Sequence, residues 1–178
     1  QIQRNPETVR VLFVGRFVYY KGIEVLLHAF AQVHGCELFL VGHGTPEMEE
    51  KLHRMAEMAQ METRVHFLGN LSEEDLRAAF ADCDIFVLPS VANSEAFGIV
   101  QQEAMVYGKP VINTSLPTGV PHVRLDGVTG ITVPPEDVPA LAHAIQKLAD
   151  DKALREQYGR AAAKRVEEEY EEADVVDK

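Results

Sequence analysis

The sequence predicts a doubly wound, mostly parallel α/β sheet. Three observations carry that expectation. Apolar runs alternate with helical stripes along most of the chain. The clearest runs, Val11-Leu12-Phe13-Val14 and Ile85-Phe86-Val87-Leu88, are continuous rather than alternating, as strands buried on both faces are. The spacing between successive elements is short, which favours neighbouring parallel strands joined by helices.

The elements follow in order. Residues 1–8 are polar, contain Pro6, and are expected to form a linker or tail. Val9 to Gly15 is the first strand. Arg16 to Gly22 is a loop, and Ile23 to Val33 carries Val25, Leu26, Ala29, Phe30 and Val33 on one helical face. Glu37 to Gly42 is the second strand, ending in Gly42-His43-Gly44-Thr45-Pro46. Pro46 suits a first helical position, and that helix is expected to reach Gln60 with Met48, Leu52, Met55 and Met58 or Ala59 inward. Val65 to Leu68 is the third strand. Ser72 caps the next helix, whose first turn is acidic and whose Leu76, Ala79 and Phe80 face inward.

Asp84 to Pro89 is the fourth strand. After it comes a loop with Glu95, then a helix from about Gly98. Ile99, Val100, Ala104 and Met105 form its expected inward stripe, and Gly108 stops it. Val111 to Asn113 and Gly130 to Val133 are the last two strands. Asp137 to Leu148 and Leu154 to Tyr170 are the last two helices. Residues 9–150 are thus expected to form one domain, and 151–178 its C-terminal helix and tail.

Composition narrows the function. The chain has 178 residues, 46% hydrophobic and 25% charged, as an ordinary soluble domain does. A net charge of -11 argues against nucleic acid and anionic membrane as partners, although a local basic pair can still hold phosphate. Cys36 and Cys83 lie in or beside apolar runs without metal-ligand spacing, and suit a reducing, cytoplasmic compartment. No apolar run approaches the roughly 18 residues of a membrane span.

In a doubly wound sheet, ligands bind beyond the carboxyl ends of the strands. Arg16, His43, Leu71, Glu95 and Thr114 follow strands and can converge there. The helix after Glu95 offers free N–H groups and a partial positive charge, which suit phosphate. Glu95 and Glu103 flank that terminus. Carboxylates do not bind phosphate, but they accept hydrogen bonds from the hydroxyls of a ribose and a sugar. Phosphate between two polyol-binding acids describes a nucleotide sugar. Arg16 and Lys21 add two cations able to hold a diphosphate and offset charge on a departing phosphate. Gly42-His43-Gly44 is no dinucleotide fingerprint: it follows the second strand, and Glu47 holds the third glycine's place. It is expected to be a tight turn, with His43 facing solvent.

These residues carry a resemblance. Ser94-Glu95-Ala96-Phe97-Gly98-Ile99-Val100-Gln101-Gln102-Glu103-Ala104-Met105 resembles the signature of the family 4 retaining glycosyltransferases, which have the GT-B fold. Val-Gly-Arg, four residues, Lys-Gly is similar to their donor-phosphate motif, with Arg16 and Lys21 in the matching places. The resemblance implies the Rossmann-like, C-terminal half of such an enzyme, and a nucleotide sugar as its partner. It implies that Glu95, Phe97 and the N–H groups of Gly98, Ile99 and Val100 meet donor sugar and phosphate, and that Glu103 binds ribose. Glu95, Arg16 and Lys21 are the expected catalytic group. Leu71 would lie by the nucleobase, and Thr118-Gly119-Val120-Pro121 in a loop that can approach the donor.

The resemblance also implies no cofactor and no metal, since the two cations do what a metal does in other transferases. The donor is a UDP-, GDP- or ADP-sugar. An N-terminal acceptor-binding domain is expected to be missing, so this chain would bind donor without turnover. Any peripheral membrane association would come through that missing domain. A stand-alone module that senses a nucleotide sugar is the alternative, and a flavin domain lacks its fingerprint. The resemblance departs at Tyr170-Glu171-Glu172-Ala173, where such enzymes often have Trp or Phe.

Overall fold

The computed structural model describes residues 7–91, 97–115 and 126–176. Six strands form one sheet: β1 (Val9–Val14), β2 (Cys36–Val41), β3 (Val65–Gly69), β4 (Ile85–Leu88), β5 (Val111–Thr114) and β6 (Gly130–Val133). Their order is β3-β2-β1-β4-β5-β6, and every neighbouring pair is parallel. The helices are α1 (Ile23–Phe30), α2 (Pro46–Met58), α3 (Glu73–Asp82), α4 (Phe97–Val106), α5 (Val138–Asp150) and α6 (Lys152–Val176). The sheet is therefore parallel throughout the described residues.

Two apolar layers sandwich it. On one face Val11, Phe13, Leu38, Leu40, Ile85, Val87 and Ile112 pack with residues of α1, α2 and α5. On the other, Leu12, Phe39, Phe86, Leu88 and Val111 pack with residues of α3, α4 and α6. Because β1 and β4 face both ways, β4 and residues 11–14 of β1 are apolar at every step. Each fully buried Phe or Leu contributes about 1.5–3 kcal/mol by leaving water.

The chain works outward through β1, β2 and β3, then returns to place β4 beside β1. That reversal opens a crevice above the carboxyl ends of β1 and β4, where the connecting helices diverge to opposite faces.

Local chemistry sets the helix starts. Thr45, Ser72 and Asp137 each accept a hydrogen bond from the backbone N–H three residues on, at 3.2, 3.1 and 2.9 Å. Three expectations need correction. α1 stops at Phe30, short of Val33, because the Arg64 guanidinium donates to the carbonyls of Phe30 and Val33 at 3.0 and 2.9 Å. Met58 is 80% exposed and Ala59 is exposed too: Leu52 and Ala56 are the buried positions of α2, with Met48 and Met55 half-buried against the same core. α6 continues to Val176, past Tyr170, with Ala162 and Val166 buried against the sheet. Lys164–Glu168 and Arg165–Glu169 pairs line its outer face, each worth only a few tenths of a kcal/mol.

Candidate functional site

The loop after β1 is held from below by Phe17, which is 2% exposed and packs on Phe13 and edge-on to Phe67. The Phe17 N–H donates to the His43 carbonyl at 3.0 Å. Gly42 (φ 130) lets the turn after β2 come this close: a Cβ there would collide with the Gly15 carbonyl. The glycine pair of this turn thus serves loop packing, and His43 is exposed as expected.

Tyr19–Lys21 then form one 3-10 turn, closed by Gly22 in the left-handed conformation (φ 75). Gly22 sits on the end of β4, where a Cβ would collide with the Pro89 carbonyl oxygen. The Val91 N–H donates to the Tyr20 carbonyl at 2.9 Å. The cation-bearing loop is therefore locked onto the carboxyl end of β4, at the point where the strand order reverses. Thr114 Oγ1 donates to the Ser90 carbonyl at 2.7 Å, which ties β5 into the same rim. On the outer side, Tyr19 Oη donates to Glu136 Oε1 at 3.4 Å.

Arg16 and Lys21 differ in setting. Arg16 is exposed. Lys21 is 4% exposed, with Nζ 6.0 Å from the centre of the Tyr20 ring. Burial, and secondarily the Arg16 charge, hold its pKa below the usual 10.5. An ammonium in this position is poised to gain from an anion, since the anion supplies the charge solvation that burial removed.

α4 runs from Phe97, so the N–H groups of Phe97, Gly98 and Ile99, in its first turn, have no partner within the helix. Gly98 and Ile99 are two of the three residues expected to offer N–H groups; Val100, the third, holds the fourth helical position, where the N–H is the first to enter the helix's own i→i−4 pairing. The Ile99 side chain does not belong to the inward stripe: it is 63% exposed. It shares an outer face with Glu103, one turn on, which is also exposed. The buried side chains of α4 are Gln101, Ala104 and Met105, with Val100 half-buried. Leu71 is half-buried and packs on the apolar cluster beneath it, so its side chain is partly committed to the core. Glu95 and Thr118 to Pro121 lie outside the described residues, as do the side chains of Phe97 and Gly98.

Sequence reasoning missed two buried polar residues. Gln101 is 1% exposed and Asn113 is 2% exposed, and Asn113 Nδ2 donates to Gln101 Oε1 at 3.1 Å. Asn113 Oδ1 accepts in turn from Thr132 Oγ1 at 2.7 Å. The available signal was a polar residue three positions before the inward Ala104, facing a strand that ends in Asn-Thr. Among the described residues, no three His, Cys, Asp or Glu side chains cluster as metal ligands, and no helix is long and apolar enough to cross a membrane.

Known proteins are similar to this chain in sequence and in fold. The O-antigen chain mannosyltransferase C of Escherichia coli is 34% identical over 166 residues, which is 93% of this chain and 44% of that protein. The D-rhamnosyltransferase WbpZ of Pseudomonas aeruginosa is 36% identical over 154 residues, 86% of this chain and 39% of its own length. The structure of Anabaena HepE in complex with UDP and glucose superposes with a TM-score of 0.83 at 27% identity, over 91% of this chain and 44% of that one. This chain thus spans less than half the length of the relatives it matches, and its structural neighbours are GT-B glycosyltransferases matched over their C-terminal half. With the model of the family described as "Glycosyl transferases group 1" matching residues 1–165, the chain belongs to the group 1 glycosyltransferases.

Proposed function

We propose that this chain is the nucleotide-sugar-binding half of a retaining hexosyltransferase that moves a glycosyl unit from a UDP-, GDP- or ADP-sugar to an acceptor. One observation carries the reading. The loop bearing Arg16 and Lys21 is locked onto the end of β4 through Gly22, Pro89, Tyr20 and Val91, so two cations stand at the strand-order reversal. α4 starts a few residues beyond that rim with its free N–H groups. HepE, solved in complex with UDP and glucose, supports the same ligand class for a similar fold.

In this reading the diphosphate lies between Arg16, Lys21 and the first turn of α4. Glu103, exposed on the helix, accepts from the ribose hydroxyls, and Glu95 positions the donor sugar. The loop with Leu71 receives the base through backbone groups. Arg16 and Lys21 stabilise the charge that develops on the leaving phosphate. The acceptor is held by a preceding domain of the parent protein, so this chain alone binds donor without turnover. A thermal-shift panel of UDP-, GDP- and ADP-sugars tests the reading. The matching donor at a hundred times its dissociation constant stabilises by about 2.7 kcal/mol. No shift with any of the three would refute it.

A further inference from the structure

α4 has to present its first-turn N–H groups at a fixed position, yet among its described side chains the fully buried apolar ones lie late. Ala104 and Met105 are buried in its second half, while Ile99 in the first turn is 63% exposed. Val100 is only half-buried. Apolar contacts are non-directional, and a methionine chain adapts to small displacements. They would tolerate a slight rotation or slide of the helix along its axis.

Gln101 supplies the missing direction. Its side chain is 1% exposed, one turn after the N-terminus of α4, and Oε1 accepts from Asn113 Nδ2 at 3.1 Å. Asn113 is itself fixed, because its Oδ1 accepts from Thr132 Oγ1 at 2.7 Å and the two residues face each other across the β5–β6 pair. Hydrogen bonds weaken steeply with angle, so this chain resists motions that apolar packing permits. An apolar core of the same shape would be about as stable, so stability alone does not account for burying two amides here.

We propose that Gln101, held by Asn113 and Thr132, is a positioning residue that sets the N-terminus of α4 for diphosphate. The inference rests on the proposed nucleotide-sugar reading and adds to it a device reaching across the two outer strands. It touches no ligand itself: it acts through the backbone of Phe97 to Ile99. A shift of the helix by about one ångström is enough to spoil such a contact.

The test removes both amides together, so that neither is left buried without a partner. The paired variant Gln101→Met with Asn113→Leu is compared with the parent by denaturant unfolding. Calorimetry then uses UDP, GDP and ADP, and the matching nucleosides. The expected result is a cooperatively folded protein whose dissociation constant for the preferred diphosphate rises about tenfold, while that for the nucleoside changes less than about twofold. Thr132→Val, which severs only the far link, gives a smaller loss in the same direction and decides the matter if the paired variant does not fold. Unchanged diphosphate affinity in a folded variant overturns the inference. So do equal losses for diphosphate and nucleoside, which mean general damage. If the parent itself binds none of the diphosphates, the nucleotide-sugar reading fails, and this inference with it.

Discussion

Lys21→Met separates the charge of this side chain from its bulk. The ammonium is 4% exposed at the rim of the crevice, and its pKa is held below 10.5 by burial first and by Arg16 second. A bound diphosphate acts the other way and raises that pKa. Between the free-state and bound-state values, binding therefore takes up a proton, and affinity must fall as pH rises. The limiting slope for one group is about one decade per pH unit. The ligand's own second ionisation, near pH 6, works in the opposite sense, because the fuller negative charge binds better. Stability carries the same linkage. A lysine with a depressed pKa costs the folded state most below that lowered value, and the cost is relieved as pH rises through it towards 10.5. Met keeps the length and removes the charge. Lys21→Met should lose about 1.5–3 kcal/mol of diphosphate binding at neutral pH, the range for hydrogen bonds to charged groups, with little change for the nucleoside. It should also flatten the alkaline fall in affinity. Calorimetry in buffers of different ionisation heat reads the proton uptake directly, with Lys21→Met as the reference. The same alkaline slope in parent and variant would refute the reasoning.

Other outcomes follow from the same geometry. Arg16→Ala, at an exposed position, should weaken diphosphate binding by about 1.5–3 kcal/mol without changing the unfolding midpoint; a lowered midpoint would mark it as structural. Glu103→Gln should cost diphosphate and nucleotide sugar alike, about 1 kcal/mol, because an amide still accepts one hydrogen bond. Glu95→Gln should weaken only the nucleotide sugar; equal damage to diphosphate binding would merge the two roles. Gly22→Ala should destabilise by about 1–3 kcal/mol, since its left-handed backbone and the Pro89 carbonyl both exclude a Cβ, and an unchanged denaturation curve would count against the locked loop. The chain alone should hydrolyse or transfer no sugar at the rate of an intact enzyme, which a product assay with the preferred donor checks.

Much of the fold was legible because it rests on period and punctuation. Continuous apolar runs located β1 and β4, and Ser72 and Pro46 marked helix starts that the structure keeps. Side-chain direction was less legible. Ile99 and Met58 are apolar but point outward, while Gln101 and Asn113 are polar and buried. Apolar character outvoted position in both cases. A count of 3.6 residues per turn from Ala104 places Gln101 inward and Ile99 with Glu103. The end of α1 was also hidden, because the group that caps it, Arg64, lies 31 residues beyond Val33.

The site itself divides along the same line. Arg16, Lys21 and Glu103 announce themselves by charge, and all three lie where strand ends or the first turns of α4 put them. What organises them does not. Gly22 against Pro89, Gly42 against Gly15, and the Tyr20 carbonyl with the Val91 N–H are backbone contacts, and any residue carries a backbone. Their only trace in the sequence is an absent side chain. Glycine signals permission for a close approach but never names the partner, which depends on strand order. Once the order β3-β2-β1-β4-β5-β6 is known, the partners follow: the loop after β1 must meet the end of β4 on one side and the turn after β2 on the other. Topology thus brings the cation-bearing loop to the end of β4, the strand that precedes α4, and glycine removes the obstacle to that approach.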